Sequence, residues 1–295
     1  MVSAIDRLLQ GAVDLHTHSG PSPMPRRITH VEAAQLAAEA GFRAIVAKCH
    51  YHSTVTDLLA MTPRLAGIAI DVFGGVALNS TVGGLNPYQV DLTLRLGGKV
   101  IWFPTISSAA HLEHASHNES TREHFQPLGM QPQAEVSVFG DDGELRPEVY
   151  TILEMARDAG AMISTGHLAA DSAAAIVDAA AEVGQTRVLF SHPNYVNGID
   201  KDKALSMARA GAYVEHCVVM YDNEKIFPLS VLLEWIDAIG PEHTVLGSDL
   251  GQVGNQLPVE GYRSLLPKLL DSGIAESDVK LMISRNPGRL IGLEP

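Results

Sequence analysis

The segment AMISTGHLAADSAAAIVDAAAEVGQTRVLFSH, residues 161–192, contains one complete repeat of the pattern that decides the fold. It begins with an apolar run (161–167), continues with an Ala-rich stretch of helical spacing (172–184) and ends with a second apolar run (187–192). Gly184 closes the stretch, where a left-handed residue commonly caps a helix. A strand, a helix and another strand in this order are typical of a parallel α/β protein.

Eight apolar or β-branched runs with polar or glycine-rich ends recur along the chain. They are AVDLH (12–16), RAIVAKCH (43–50), DVFGGVALN (71–79), KVIWFPT (99–105), AMISTGH (161–167), RVLFSH (187–192), AYVEHC (212–217) and TVLGSD (244–249). Eight strands that alternate with helices predict an α/β fold of the (β/α)8, or TIM barrel, type. The chain has 295 residues, 46% of them hydrophobic, which is enough for one barrel domain over residues 1–295.

The connection between the fourth and fifth runs, about residues 105–147, is longer than an ordinary βα loop. It contains HLEHASHNESTREH (111–124) and a hairpin-like EVSVFGDDGELRP (135–147). We interpret it as a lid-like insertion or a contact between subunits. Its evenly spaced histidines, His111, His114 and His117, are expected on a solvated helix face rather than in a metal site.

The formal net charge of −13 opposes attraction to nucleic acid phosphates and to anionic membrane surfaces. We therefore expect a small-molecule partner, while a homo-oligomer stays possible. No apolar run has the length of a membrane span, and the first residues, MVSAIDRLLQ, do not resemble a signal peptide. The two cysteines lie in separate apolar runs, so a disulfide framework is not expected and a cytoplasmic location is predicted.

Polar side chains occupy the ends of six of the eight predicted strands. In a barrel of this type the carboxyl ends of the strands meet at one face, where catalytic groups lie. Residues i and i+2 of a strand point the same way, so two residues of this spacing form an inward pair. The candidates are His16 and His18, Lys48 and His50, His167, His192, Glu215 and His216, and Asp249.

So many imidazoles at one barrel mouth would lack partners if they bound no ion. Neutral imidazoles with a carboxylate suit a divalent metal, with Zn²⁺ favoured and Mn²⁺ or Fe²⁺ possible, as one or two ions. Outside this group, Arg26 and Arg27 could hold a substrate carboxylate, although at least one is expected on the surface. His30, beside a predicted helix start, is also expected on the surface.

Five motifs together resemble the amidohydrolase superfamily of metal-dependent hydrolases. They are DLHTH (14–18), STGH (164–167), FSHPN (190–194), LGSD (246–249) and RNPGRLIGL (285–293). The resemblance implies that His16, His18 and Asp249 hold one divalent ion. It also implies that His167 and His192 hold a second ion or assist the substrate. The implied reaction is attack by a metal-activated water on an amide, cyclic amide, ester or lactone bond, with Asp249 taking the proton of that water.

One position departs from the two-metal pattern of that superfamily. A carboxylated Lys or a Glu usually bridges the ions from the fourth strand, whereas that strand ends here in VIWFPT (100–105). We hypothesise that Lys48, carboxylated by CO₂, replaces this ligand beside His50. Alternatively, Lys48 stays an ammonium group that pairs with Asp249 or binds substrate. His216 or His192 would polarise the substrate oxygen. Together with Asp249, which takes the proton, and Lys48, His216 completes the set of predicted catalytic residues.

DLHTHS (14–19) is also similar to the opening motif of the polymerase and histidinol phosphatase family, which would make the protein a phosphoesterase. In that family the second strand typically ends in Asp-His and the third supplies a Glu. Here Cys49 precedes His50, and the third run has no acidic residue near its end. A decarboxylase on the same scaffold and a non-catalytic barrel that binds a metal or metabolite are further alternatives.

Overall fold

Nine short parallel strands form the centre of the molecule in the computed structural model, which describes residues 3–118, 129–221 and 226–293. The strands are β1 (Val13–Thr17), β2 (Ala44–Ala47), β3 (Asp71–Phe73), β4 (Gly75–Ala77), β5 (Val100–Trp102), β6 (Met162–Ser164), β7 (Val188–Ser191), β8 (Tyr213–Cys217) and β9 (Thr244–Gly247). Strands that follow each other in the chain pair with each other, in a sheet of order β1-β2-β3 and a sheet of order β4-β5-β6-β7-β8-β9. β3 and β4 are two parts of one strand that are separated by Gly74.

The last strand returns to the first. The backbone N–H of Asp249 donates to the carbonyl of His16 at 2.8 Å, and the N–H of His18 donates to the carbonyl of Leu250 at 2.8 Å. With β3 and β4 counted as one strand, eight parallel strands surround the centre. The predicted (β/α)8 architecture is therefore confirmed.

Helices connect the strands on the outside. They are α1 (Ala4–Leu9), α2 (His30–Glu39), α3 (Val55–Ala60), α4 (Thr62–Leu65), α5 (Pro87–Arg95), α6 (Ala109–His117), α7 (Pro147–Asp158), α8 (Ala170–Val183), α9 (Lys201–Arg209), α10 (Val218–Tyr221), α11 (Leu229–Ile239), α12 (Pro258–Asp271), α13 (Glu276–Lys280) and α14 (Asn286–Leu290), with a π-helical turn at Leu281–Arg285. Gly184 ends α8 with a φ of 77°, the left-handed conformation predicted from its position. None of the described helices combines the length and apolarity that a membrane crossing requires.

The long connection after β5 contains α6 and an antiparallel bridge between Phe139 and Leu145. Residues 119–128 of the expected lid lie outside the described residues. The role of this insertion as a lid or a subunit contact therefore stays a prediction.

Apolar side chains fill the lower part of the barrel interior. Val13, Leu15, Val46, Trp102 and Leu189 belong to one buried cluster contributed by four different strands. Two further clusters pack the outer faces of the strands against the helices. Because the interior below is filled, the side chains at the carboxyl ends of the strands line the floor of an open cavity.

Candidate active site

A β-bulge in β1 aims the first histidine pair at the cavity. The pairing of β1 with β2 shifts register between Asp14 and Thr17. The Asp14 carboxylate stabilises the bulge, because it accepts hydrogen bonds from the N–H of His16 at 3.0 Å and the hydroxyl of Thr17 at 2.8 Å. A bulge re-aims the side chains that follow it. Leu15 can therefore pack in the interior while the next residue, His16, and then His18 line the cavity.

Three donor atoms from β1 and from the end of β9 converge at the cavity floor. Oδ1 of Asp249 lies 3.3 Å from Nε2 of His16 and 3.0 Å from Nε2 of His18. One donor atom from each residue lies within 4.8 Å of the other two, which is the spacing of ligands around a single ion. We call His16, His18 and Asp249 the first ligand group.

A second set of imidazoles continues around the mouth. The ring centroids of His18 and His50 are 5.2 Å apart, those of His50 and His167 are 5.7 Å apart, and those of His167 and His192 are 4.8 Å apart. We call His50, His167 and His192, whose role as metal ligands stays a prediction, the second ligand group. Both groups line one cavity of about 360 Å³.

Burial keeps four of these imidazoles neutral. It lowers the pKa of His18 to about 3 and that of His192 to about 4, and it lowers the pKa of His50 and His167 well below the usual value. Burial by itself raises the pKa of Asp249, but the neighbouring His16 and His18 outweigh this effect and hold the pKa below its usual range. At neutral pH the site therefore presents imidazole lone pairs and one carboxylate, as a divalent metal requires.

Two features of His192 and Asp249 support a ligand at this position. Nδ1 of His192 is buried and has no hydrogen-bond partner among the described residues. In addition, both residues have positive φ angles, 35° for His192 and 50° for Asp249. Such backbone conformations are unfavourable for non-glycine residues and concentrate at functional sites.

Lys48 lies inside the barrel beside the first ligand group. Its side chain is fully buried, and Nζ is 2.9 Å from Nε2 of His16 and 5.5 Å from the centre of the Trp102 ring. Burial lowers the pKa of its amine. Its contact is with His16, and no hydrogen bond joins its amine to Asp249 among the described residues. The carboxylated and the ammonium forms both stay predictions.

The structure does not bring His216 into the site. Its Nδ1 is 3.1 Å from the Tyr221 hydroxyl and its ring packs 5.4 Å from Trp235, on the outer face of β8. Successive strand residues point to opposite faces, so only one of Glu215 and His216 can face inward. The predicted catalytic role of His216 requires a position in the cavity that this side chain does not have.

Glu215 occupies the inward position instead. Its Oε2 lies 3.1 Å from Nδ1 of His16, and its Oε1 is buried without a partner among the residues that the structure describes. A Cβ atom at Gly247 would lie 2.2 Å from this Oε1, so glycine is required on the neighbouring strand. By accepting from Nδ1–H of His16, Glu215 leaves the lone pair of Nε2, which lies 2.9 Å from the Lys48 amine, available to accept from that amine or to bind an ion.

Two histidines expected on the surface are buried. His111 is 2% exposed and lines the cavity, with its Nδ1 3.0 Å from Nδ1 of His167. His30 is fully buried, with its Nδ1 2.6 Å from Oγ of Ser19. Both expectations were wrong, because burial here depends on how the segments dock onto the barrel and local spacing does not report that.

The chain belongs to the family of unknown function DUF6282, whose model matches residues 11–215. This range contains His16, His18 and the second ligand group, whereas Asp249 follows it. No curated protein matches the sequence.

Solved structures of several hydrolases share the fold. An amidohydrolase from Pseudomonas aeruginosa matches with a TM-score of 0.66 and 12% identity over 98% of each chain. A mutant organophosphorus hydrolase from Deinococcus radiodurans matches with a TM-score of 0.60 and 15% identity over 98% of this chain and 95% of that one. A phosphotriesterase homology protein from Escherichia coli, solved with phosphate in its active site, has a TM-score of 0.56 and 16% identity over 96% and 99%. These matches confirm that the chain has the fold of amidohydrolases, as predicted.

Proposed function

We propose that this member of the DUF6282 family is a metal-dependent hydrolase that cleaves an amide, cyclic amide, ester or lactone bond of a small molecule. The observation that carries the proposal is the convergence of Nε2 of His16, Nε2 of His18 and Oδ1 of Asp249 at the mouth of the barrel. The shared fold of the amidohydrolase and the organophosphorus hydrolase supports it.

The first ligand group would hold one divalent ion, of which Zn²⁺ suits the donor set best and Mn²⁺ or Fe²⁺ also fit. The second ligand group would hold a second ion, to which Lys48 would add a ligand in its carboxylated form. A bound ion of this kind lowers the pKa of a coordinated water to about 7 and polarises the bond to be cleaved.

The protein side chains have separate tasks. Asp249 is ionised at neutral pH and its side chain is 16% exposed toward the cavity, so its carboxylate can accept a proton from a water molecule there and pass it to the leaving group. His192, the second residue considered for polarising the substrate oxygen, lines the same cavity with an unpartnered Nδ1. Glu215 orients His16 and does not reach the substrate.

The proposal is tested by metal analysis of the purified protein, followed by a panel of amides, lactones and phosphoesters. We expect at least one equivalent of metal and turnover of an amide or lactone. Metal below about a tenth of an equivalent, with no rescue by added Zn²⁺ or Mn²⁺, would overturn the proposal. Turnover of nitrophenyl phosphates alone would indicate a phosphoesterase, CO₂ release a decarboxylase, and bound metal without turnover a binding barrel.

The state of Lys48 has its own measurement. In protein incubated with ¹³C-bicarbonate, a carboxylated Lys48 gives a carbamate carbon signal that is lost in Lys48→Gln. If wild type and variant have the same spectrum, the ammonium form is correct.

A further inference from the structure

Arg26, in the loop between β1 and α2, places a buried and unpaired cation at the active-site cavity. Its Nε, Nη1 and Nη2 atoms are all buried, and within residues 3–118, 129–221 and 226–293 none of them has a hydrogen-bond partner. The residue lines the same cavity as both ligand groups. A guanidinium has five N–H donors and stays protonated in proteins, so a site that leaves all of them unused is incomplete.

The backbone holds this side chain in place. Arg26 forms an antiparallel bridge with Gln252, and the N–H of Arg27 donates to the carbonyl of Gly251 at 2.8 Å. A Cβ atom at Gly20 would lie 3.4 Å from Cβ of Arg26, so the side chain begins directly over this glycine. The loop that carries Arg26 is thereby attached to the segment that follows Asp249.

No described side chain completes the site. Burial lowers the pKa of Arg26, and Cys49, Asp249 and Tyr51 are close enough to favour its charge, but none accepts a hydrogen bond from it. The Asp249 carboxylate is already in contact with His16 and His18. A buried charge without a hydrogen-bonded partner is unfavourable, and an oxyanion with two acceptor atoms matches the fork of a guanidinium best.

We infer that Arg26 binds an oxyanion of the substrate, a carboxylate or a phosphate, while the bond to be cleaved lies against the first ligand group. The inference rests on the proposed hydrolase function and names its substrate class: a small anionic molecule. Met24, Met220, Ile226 and Val253 supply an apolar wall to the same cavity, which suits a short hydrocarbon part between the anion and the scissile bond.

The neighbouring arginine provides a matched control. Arg27 is 46% exposed, and its Nη1 donates to the backbone carbonyl of Asn255 at 3.0 Å and lies 3.6 Å from Glu260. It carries the same charge one residue away, but it has partners and does not line the cavity. If the anion is held only by nonspecific electrostatic attraction, Arg26→Gln and Arg27→Gln should weaken its binding equally. If Arg26 forms a specific anion site, only Arg26→Gln should weaken the binding.

The experiment measures binding of succinate and of inorganic phosphate, by calorimetry and by thermal shift, to wild type, Arg26→Gln, Arg26→Lys and Arg27→Gln. We expect Arg26→Gln to weaken binding by about tenfold or more, Arg26→Lys to weaken it less, and Arg27→Gln to leave it unchanged. Succinate binding without phosphate binding identifies a carboxylate substrate, and the reverse identifies a phosphate.

Thermal melts separate this role from a structural one. Because no residue that the structure describes accepts a hydrogen bond from Arg26, the anion-free Arg26→Gln protein should melt at or above the wild-type temperature, while the stabilisation by the anion is lost. A lower melting temperature together with unchanged anion binding would overturn the inference. If Arg26→Gln does not fold, unchanged anion affinity in Arg26→Lys has the same consequence.

Metal content measured in the same samples distinguishes the two proposals. The substrates tested are a matched pair, a carboxylate and its carboxamide. If the metal-loaded protein hydrolyses both equally well, the role of Arg26 is contradicted, whereas the proposed hydrolase function is retained. Protein without metal or turnover contradicts the hydrolase, and the dependence of anion binding on Arg26 is still measured.

Discussion

The two ligand groups at the barrel mouth are built differently. In the first, the carboxylate of Asp249 lies within 3.3 Å of two imidazole nitrogens, and one of those imidazoles is oriented by Glu215. In the second, the rings of His50 and His167 are 5.7 Å apart and those of His167 and His192 are 4.8 Å apart, and the carboxylate that lies within 4.8 Å of a His192 nitrogen is that of Asp249, which already belongs to the first group. Charge neutralisation therefore differs between the groups, and we expect the first to bind its ion more tightly.

The largest expected effect comes from removing the charge of the first group. Asp249→Asn keeps the size of the side chain but removes the carboxylate that binds the ion and accepts the proton. We expect kcat/KM to fall by about a thousandfold or more, with the fold retained. Steady-state kinetics measure the loss of activity, and circular dichroism checks that the fold is retained. Near-normal activity would contradict the assignment of Asp249.

A smaller effect is expected from the residue that orients His16. Glu215→Gln preserves shape but weakens the charge-assisted contact with Nδ1 of His16, so the affinity for the first ion should fall by about ten- to a hundredfold. Competition with a chelating dye measures the affinity. His216→Gln, one residue away on the outer face, is the control and should leave the affinity unchanged; equal effects of the two variants would contradict the placement of Glu215.

The second group is tested by stoichiometry. His167→Asn should remove only the weaker ion, because the first ligand group stays complete. We expect metal content to fall from about two equivalents to about one in protein loaded with excess Zn²⁺. A wild-type content of one equivalent, unchanged in the variant, would show that these histidines serve the substrate instead.

The pH dependence of stability should be a smaller, shared effect. The pKa of His18, His192 and His216 is lowered to about 3, 4 and 3, so between these values and about pH 6.5 the unfolded chain binds more protons than the folded one. The stabilisation is complete above about pH 6.5 and is lost as the pH falls through the folded-state values. Thermal melts of metal-free protein should show the melting temperature falling as the pH is lowered from about 6.5 to about 4.

Two variants test whether the buried histidines cause this pH dependence and whether they also bind metal. His192→Phe and His216→Phe should both flatten the acid limb, because each removes one buried imidazole. Only His192→Phe should also weaken metal binding. An unchanged acid limb in both would mean that these histidines do not govern the pH dependence.

The strands and the shared direction of His16 and His18 could be predicted because they depend on short-range patterns, whereas the grouping of Asp249 with these histidines came from the resemblance to amidohydrolases. Apolar runs with polar ends identified eight strands, and the spacing of His16 and His18 indicated a shared direction. That direction is correct, although it arises from a bulge that the sequence did not reveal: Leu15 and His16, adjacent in the chain, both face inward.

The wrong predictions concern residues whose position depends on the direction of a side chain or on how a segment docks onto the barrel. Glu215 and His216 are both plausible at a strand end, and only the alternation within β8 selects the first. Gly247 was a usable signal, since a glycine at a strand end marks a close approach by a neighbouring side chain. The burial of His111 depends on how α6 docks against the barrel, and the unpaired state of Arg26 depends on a loop conformation. Neither follows from residue spacing.

The hydrogen bonds that join β9 to β1 involve the same residues that form the first ligand group. The backbone of Asp249 bonds to that of His16, and their side chains share the proposed ion, although residues 16 and 249 lie far apart in the chain. Contacts of such high sequence separation carry the largest loop-closure entropy and tend to form late in folding. The metal affinity of a nascent or truncated chain would therefore report whether its last strand has paired with its first.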